Sequence, residues 1–151
     1  DEPVPTFAAA LAALPDGLGM AVDIKHASAA AATLEEVVRQ DKQDRVLLWS
    51  QHIGAATYLA KHATGIEVAL LRDTFNERAT EEFLDDAARI GAHAVSVHHG
   101  VLTEGLVSEA RERSLGVYSW VREVAQHEEK MATGVLGIIT DYPSETRQLL
   151  D

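Results

Sequence analysis

Hydrophobic positions alternate along the chain between short β-type runs and longer helical stretches. Six short runs, rich in β-branched residues and bounded by turn residues, predict strands at 19–26, 45–50, 67–72, 92–99, 116–121 and 134–140. Helical periodicity predicts helices near 28–40, 54–63, 79–90, 104–113 and 123–132, with flanking helices at 6–14 and 144–150. Regular β–α alternation with nearly continuous apolar strands is typical of a parallel sheet covered by helices. The predicted fold class is α/β.

Two architectures fit about six β–α units. The pattern alone favours an open doubly wound sheet, although no glycine-rich phosphate-binding loop follows the first strand. A (β/α)8 barrel needs about 250 residues, so this chain would be roughly two thirds of one. With 151 residues, the chain is predicted to form a single domain over 1–151, because an ordinary core needs roughly 100–150 residues.

Composition excludes several classes of partner. Acidic residues outnumber basic ones by 24 to 13, and without a dense basic cluster nucleic-acid binding is not expected. The sequence contains no apolar run long enough to span a bilayer and no signal peptide in residues 1–20. We therefore expect a soluble protein, either cytoplasmic or exported with its signal already removed. There is no cysteine, so a bound metal would use oxygen or imidazole ligands.

The first predicted strand carries a carboxylate and an ammonium two residues apart. In the stretch "VDIKH", Asp23 and Lys25 would project from the same face, opposite Val22 and Ile24. Two charges inside a sheet are costly unless they serve a metal and an anionic substrate, or pair with each other. A metal and phosphate site and a structural ion pair are equally compatible with this motif.

Two other strand ends carry candidate residues. Trp120 ends the fifth predicted strand, where a flat aromatic can wall a pocket for a small polyol or simply pack. His98 and His99 end the fourth, and one of these adjacent residues should face inward. Imidazole can bind metal or carry a proton near pH 7, but without a third ligand nearby we favour a turn with one partly exposed ring.

The order of the strand motifs resembles the glycerophosphodiester phosphodiesterase family. "VDIKH" is similar to the family's Glu-Ile-Lys strand, and "VLLWSQH" is similar to a strand ending in Ser-Phe, with Gln51 in place of the phenylalanine. "GVYSWVRE" keeps only Trp120 of the family's Trp-Thr-Val-Asn. "GVLGIITDYP" resembles Gly-Val-Asp-Gly-Ile-Ile-Thr-Asp-x-Pro, with Leu136 replacing the first aspartate. The threonine-led "PTFAAALAAL" resembles the helix before the family's third strand.

This resemblance implies the C-terminal part of a (β/α)8 TIM-type barrel that hydrolyses glycerophosphodiesters to glycerol 3-phosphate and an alcohol with a divalent cation, Mg²⁺, Ca²⁺ or Mn²⁺. It implies that Asp23 binds the metal, that Lys25 is the catalytic lysine and that Trp120 lines the glycerol pocket. The family's His-Arg-Gly motif, an acidic pair and a second catalytic histidine would all precede residue 1. Asp141 is read first as a residue of the barrel rim and helix start, with Pro143 in the first helical turn.

An incomplete barrel would leave two unpaired strand edges, at the first and last strands. We therefore expect a missing N-terminal segment or a second copy of the chain to cover them, unless the six strands close differently. Two alternatives to the enzyme remain open. One is a catalytically inactive relative or fragment that keeps the barrel for binding or assembly, and the other is an unrelated open α/β domain using the His98–His99 pair.

Overall fold

The computed structural model describes residues 3–72 and 76–149. The strands in these ranges are β1 (Met20–Asp23), β2 (Val46–Ser50), β3 (Glu67–Leu71), β4 (Ala94–His98), β5 (Gly116–Trp120) and β6 (Gly137–Ile139). The helices are α1 (Phe7–Ala12), α2 (Ala30–Arg39), α3 (Ile53–His62), α4 (Glu77–Ile90), α5 (Glu104–Glu112), α6 (His127–Ala132) and α7 (Pro143–Gln148). Every predicted strand and helix is therefore confirmed, with ends that differ from the predicted ones by at most four residues.

The strands form one parallel sheet in the order β1-β2-β3-β4-β5-β6. A doubly wound sheet reverses its strand order at a switch point, so the open doubly wound sheet favoured by the pattern alone is wrong. Sequential order with a helix after each strand is the topology of a TIM-type barrel. The sheet curls into an incomplete barrel of this type.

Local sequence explains several element ends. Thr103 accepts a hydrogen bond from the Leu106 N–H at 3.1 Å and is the N-cap of α5. Gly91 ends α4 with φ 79°, a left-handed conformation that glycine adopts without strain. Gly116 begins β5, as the predicted strand 116–121 requires, and the Leu136 side chain lies against it.

The core lies between the outer face of the sheet and the helices. One cluster packs strand residues such as Leu70 and Val95 against Phe83 of α4. The other packs Leu48 against Leu59 of α3 and neighbouring side chains of α1 and α2. Apolar burial on this outer face is what holds the helices on the sheet, and the inner face carries polar and aromatic side chains beside aliphatic ones.

A buried histidine attaches the last helix to the sheet. His127 is 0% exposed, and its Nε2–H donates to the Val121 carbonyl at 3.0 Å. Its Nδ1 lies 2.9 Å from the hydroxyl of Thr146 on α7, and that hydroxyl is also 2.8 Å from the Tyr142 carbonyl. The imidazole therefore joins the end of β5 to the first turn of α7.

In the described part of the chain, β1 and β6 each pair with one neighbour only. The two strand edges expected for an incomplete barrel are thus present. None of the helices in the same ranges combines the length and the hydrophobicity that a bilayer crossing requires.

We expect His127→Leu to lower the free energy of unfolding by about 1–3 kcal/mol, because it removes the imidazole partner of the buried Val121 carbonyl and one of the two partners of the Thr146 hydroxyl. Urea unfolding measures the loss. The control His62→Leu changes an exposed histidine of α3 and should cost under about 0.5 kcal/mol. Equal losses in the two variants would contradict this role for His127.

Candidate functional site

The parallel register assigns alternate strand residues to the inner face. Asp23 pairs with Trp49, and Trp49 pairs with Ala69. On the same face, toward the other edge of the sheet, His98 pairs with Trp120 and Trp120 pairs with Ile139. Paired residues on neighbouring strands point to the same face, so the inner face carries these side chains in rows that run from strand to strand.

A cavity of about 280 Å³ opens at the carboxyl ends of the strands, and we call it the rim cavity. It is lined by Asp23, Lys25, Trp49, Gln51, Leu71, Arg72, Ser96, Val97, Trp120 and Ile139. Because adjacent strands lie about 4.8 Å apart, residues of β1 and β6 can share one small cavity only if the sheet is curled. The rim cavity holds both tryptophans of the chain.

Asp23 and Lys25 form an ion pair in the rim cavity, with Lys25 Nζ 2.5 Å from Asp23 Oδ2. Lys25 lies just beyond the end of β1, and His52 donates from Nε2 to its carbonyl at 2.7 Å. The side chains of Lys25 and Asp23 are 68% and 31% exposed. An ion pair this accessible contributes about 0–1 kcal/mol to stability, so its geometry suits ligand binding at least as well as structure.

Trp120 ends β5 with 39% of its surface exposed. The Arg122 guanidinium lies over its ring, with the Cζ atom 4.4 Å from the ring centroid. This is within cation–π range. One face of the indole therefore carries a cation, while the side chain also lines the rim cavity.

Tyr118 and Glu67 form a polar pair one layer deeper on the inner face. The Tyr118 hydroxyl donates to Glu67 Oε1 at 3.1 Å, and its ring meets Trp49 edge-on at 6.0 Å between centroids. Burial, and next the negative charge of Glu67, raises the pKa of Tyr118 to about 12. The phenol thus stays protonated, and its ring packs against Trp49 on the side away from the rim.

His98 and His99 lie beside the rim cavity and are not among the described residues that line it. Their rings are 4.4 Å apart, and the Gly100 N–H donates to His98 Nδ1 at 3.0 Å. Burial, and next the charges of His98 and Lys130, lowers the pKa of His99. The pair forms a turn at the end of β4, as the sequence predicted.

Asp141 is exposed and follows β6 by two residues. Tyr142 is the N-cap of α7, so Asp141 lies just before the helix, and Pro143 occupies the first turn as predicted. The nearby Thr140 hydroxyl accepts from the Tyr142 N–H at 3.0 Å. Among the described residues, Asp141 does not line the rim cavity.

The donor set of the rim cavity does not make a metal site by itself. Mg²⁺ and Ca²⁺ require at least about six oxygen ligands, usually from several carboxylates and waters. Within residues 3–72 and 76–149, His, Asp and Glu side chains nowhere gather in a group of three or more that could hold a metal ion. Asp23 alone, already paired with Lys25, does not fit such an ion.

The model of the glycerophosphoryl diester phosphodiesterase family matches residues 4–145. The chain belongs to this family. A search of curated proteins gives no match.

Solved structures agree in fold. A Silicibacter pomeroyi protein provisionally assigned as a glycerophosphoryl diester phosphodiesterase is 26% identical, with a TM-score of 0.70 over 82% of this chain and 44% of that chain. A Parabacteroides distasonis glycerophosphodiester phosphodiesterase is 20% identical, with a TM-score of 0.75 over 89% and 58%. An Oleispira antarctica phosphodiesterase in complex with the product sn-glycerol-3-phosphate is 15% identical, with a TM-score of 0.69 over 89% and 56%. This chain thus spans about half the length of these family members.

The structure brings together the three site residues predicted from sequence, Asp23, Lys25 and Trp120, on one cavity of this family member. Sequence reasoning missed Arg72 and Trp49. Simple signals in the sequence could have found both residues. Trp49 lies two residues before Gln51 and so shares its face of the strand, and Arg72 is a charged residue just after an apolar strand.

The Tyr118 phenol should resist ionisation until about pH 12. Its pKa is raised in the folded state, so its contribution to stability is complete below about pH 10. That contribution is lost as pH rises toward 12, because the unfolded chain releases this proton first. Absorbance titration at 295 nm with Tyr118→Phe as reference measures the pKa, and an ordinary value near 10 would contradict the burial argument.

Lys25→Met should change the free energy of unfolding by less than about 1 kcal/mol, because the ion pair is largely exposed. Urea unfolding of this variant beside the wild type measures the change. A loss of several kcal/mol would show that the Asp23–Lys25 pair is chiefly structural.

Proposed function

We propose that this protein acts as a glycerophosphodiester phosphodiesterase, releasing glycerol 3-phosphate and an alcohol. One observation carries the proposal: Asp23, Lys25 and Trp120, from strands at opposite sides of the sheet, converge on one cavity at the carboxyl ends of the strands. In barrels of this type the active site lies on that face. The family match over residues 4–145 supports the same reaction.

Lys25 is proposed to bind the phosphate of the diester. Its ammonium would balance the negative charge that develops on the phosphate oxygens as the reaction proceeds, a stabilisation realised mostly in the transition state. The Asp23 carboxylate, 2.5 Å from Lys25 Nζ, would hold the ammonium in place until the substrate arrives. Lys25 is thus the catalytic lysine of the proposal.

Trp120 is proposed to line the glycerol pocket. Its half-exposed ring offers an apolar wall to the carbons of glycerol, while the hydroxyl groups stay near water and polar side chains. The relative from Oleispira antarctica binds sn-glycerol-3-phosphate, a ligand of the size that a cavity of about 280 Å³ accommodates.

In the hydrolysis, a water or substrate hydroxyl oxygen forms a bond to phosphorus while the bond to the departing alcohol oxygen breaks. That oxygen must take up a proton. The proposed general acid is a histidine outside residues 1–151, and carboxylates from the same region would be needed beside Asp23 to hold a divalent cation. The relatives are about twice as long as the part that matches, which leaves room for these groups.

A catalytically inactive relative is the second candidate, and the donor set favours it. Asp23 is the carboxylate that lines the rim cavity among the described residues, and Arg122 covers one face of Trp120. In this case the unpaired edges of β1 and β6 would serve assembly, with a second copy or a further segment adding strands to the sheet.

Release of glycerol 3-phosphate from glycerophosphoinositol, with Mg²⁺, Ca²⁺ or Mn²⁺ added, tests the proposal in a protein that contains residues 1–151 together with the region proposed to supply the histidine and the further carboxylates. We expect Lys25→Ala to lower kcat/KM by at least about 100-fold, the scale of losing one charge that stabilises the transition state. The matched control Lys61→Ala removes an exposed lysine of α3 and should leave the rate unchanged.

If the protein that contains this region is folded and still inactive with every one of these cations, the inactive relative is favoured. Activity that survives Lys25→Ala would contradict the role assigned to the lysine. Analytical ultracentrifugation of the same sample shows whether an active form is a monomer or an assembly.

A further inference from the structure

Arg72 is the charged residue of the rim cavity that the proposed reaction leaves without a role. It is the first residue after β3, and its backbone N–H donates to the Ser96 carbonyl on β4 at 3.2 Å. Its side chain lines the rim cavity and is 41% exposed. A cation is therefore held at this strand end with access to both the cavity and water.

Helix α4 fixes the position of the Arg72 guanidinium. The Cζ atom lies 5.0 Å from the centroid of the Phe83 ring, and Nη2 donates to Asp86 Oδ2 at 3.3 Å. Phe83 is fully buried beneath it. A guanidinium stacked on a buried ring and bonded on one edge is oriented before any ligand binds.

The charge of Arg72 is only partly neutralised by its partner. Asp86 also accepts from Nη2 of Arg89 through its other oxygen, and the hydrogen bond from Arg89 is the largest cause of the lowered pKa of Asp86. One carboxylate thus serves two guanidinium groups. Arginine carries five N–H donors, and in the described ranges Asp86 is the acceptor that the structure gives to this side chain.

Arg72 and Lys25 stand at the ends of two strands that are not neighbours in the sheet. Strand β2 separates their strands, so the two backbones lie roughly 10 Å apart. The guanidinium is also drawn toward α4 on the outer layer. In a diester whose phosphate is bound at Lys25, the far end of the alcohol part lies three or four bonds from the phosphorus, a distance of about 5 Å. Arg72 is therefore placed to contact the substituent rather than the phosphate.

We propose, on the basis of the function proposed above, that Arg72 selects glycerophosphodiesters whose alcohol part carries its own anionic group, a carboxylate or a phosphate. Arginine binds both groups through two parallel hydrogen bonds. An alcohol part with a cationic ammonium and no anion would instead be repelled.

Fluorescence titration tests this directly, because both tryptophans of the chain line the rim cavity. The ligands form two matched pairs that differ by one anionic group: glycerophosphoserine against glycerophosphoethanolamine, and glycerophosphoinositol 4-phosphate against glycerophosphoinositol. The variants are Arg72→Gln, Arg72→Lys and the control Arg78→Gln. Arg78 lies on α4, is 88% exposed and pairs with Glu82, so the control removes the same charge away from the cavity.

We expect wild type and Arg78→Gln to bind the more anionic member of at least one pair about tenfold more tightly, the effect of one charged hydrogen-bonded contact. Arg72→Gln should abolish this preference while retaining affinity for the less anionic member, and Arg72→Lys should keep part of it. A preference for the serine pair alone identifies a carboxylate, and one for the inositol pair alone identifies a phosphate.

A preference that is absent in wild type, or unchanged in Arg72→Gln, overturns the inference and leaves the proposed phosphodiesterase function standing. If a folded wild-type chain binds none of the four diesters at millimolar concentration, the proposed function fails and this inference fails with it.

Discussion

Parallel pairing of each strand with its neighbour in the chain is the constraint on which the rest of the structure depends. It brings all six carboxyl ends to one edge, and the two-residue alternation along each strand then decides which side chains meet there. Asp23 and Trp120 are almost 100 residues apart in sequence and still line the same cavity. The apolar outer face, packed under the helices, holds this arrangement in place.

The rim differs in charge from the molecule as a whole. The chain has a net charge of −11, yet cations stand at or just past the ends of alternate strands: Lys25 after β1, Arg72 after β3 and Arg122 after β5. Two of these cations, Lys25 and Arg72, line the rim cavity, and each is paired with a carboxylate.

The β–α alternation was predictable because short apolar strands and amphipathic helices differ in period. Strand order was not, since the same alternation serves doubly wound sheets and barrels alike. Asp23, Lys25 and Trp120 could be found from motifs within one strand each. The Tyr118–Glu67 hydrogen bond and the support of Arg72 by Phe83 and Asp86 join residues of different elements, and no local pattern encodes such contacts.

Sequential strand order also makes the two edge strands of the sheet less stable than its middle strands. The middle strands have partners on both sides, whereas β1 and β6 have one each in the described chain, as do the terminal units of stacked repeat proteins. Such peripheral units open at lower free energy than the centre. Lys25 follows β1, and Trp120 pairs with β6 through Ile139. A ligand that contacts both Lys25 and Trp120 therefore links the two edges of the sheet. Its binding free energy then stabilises the curved sheet against opening at these edges.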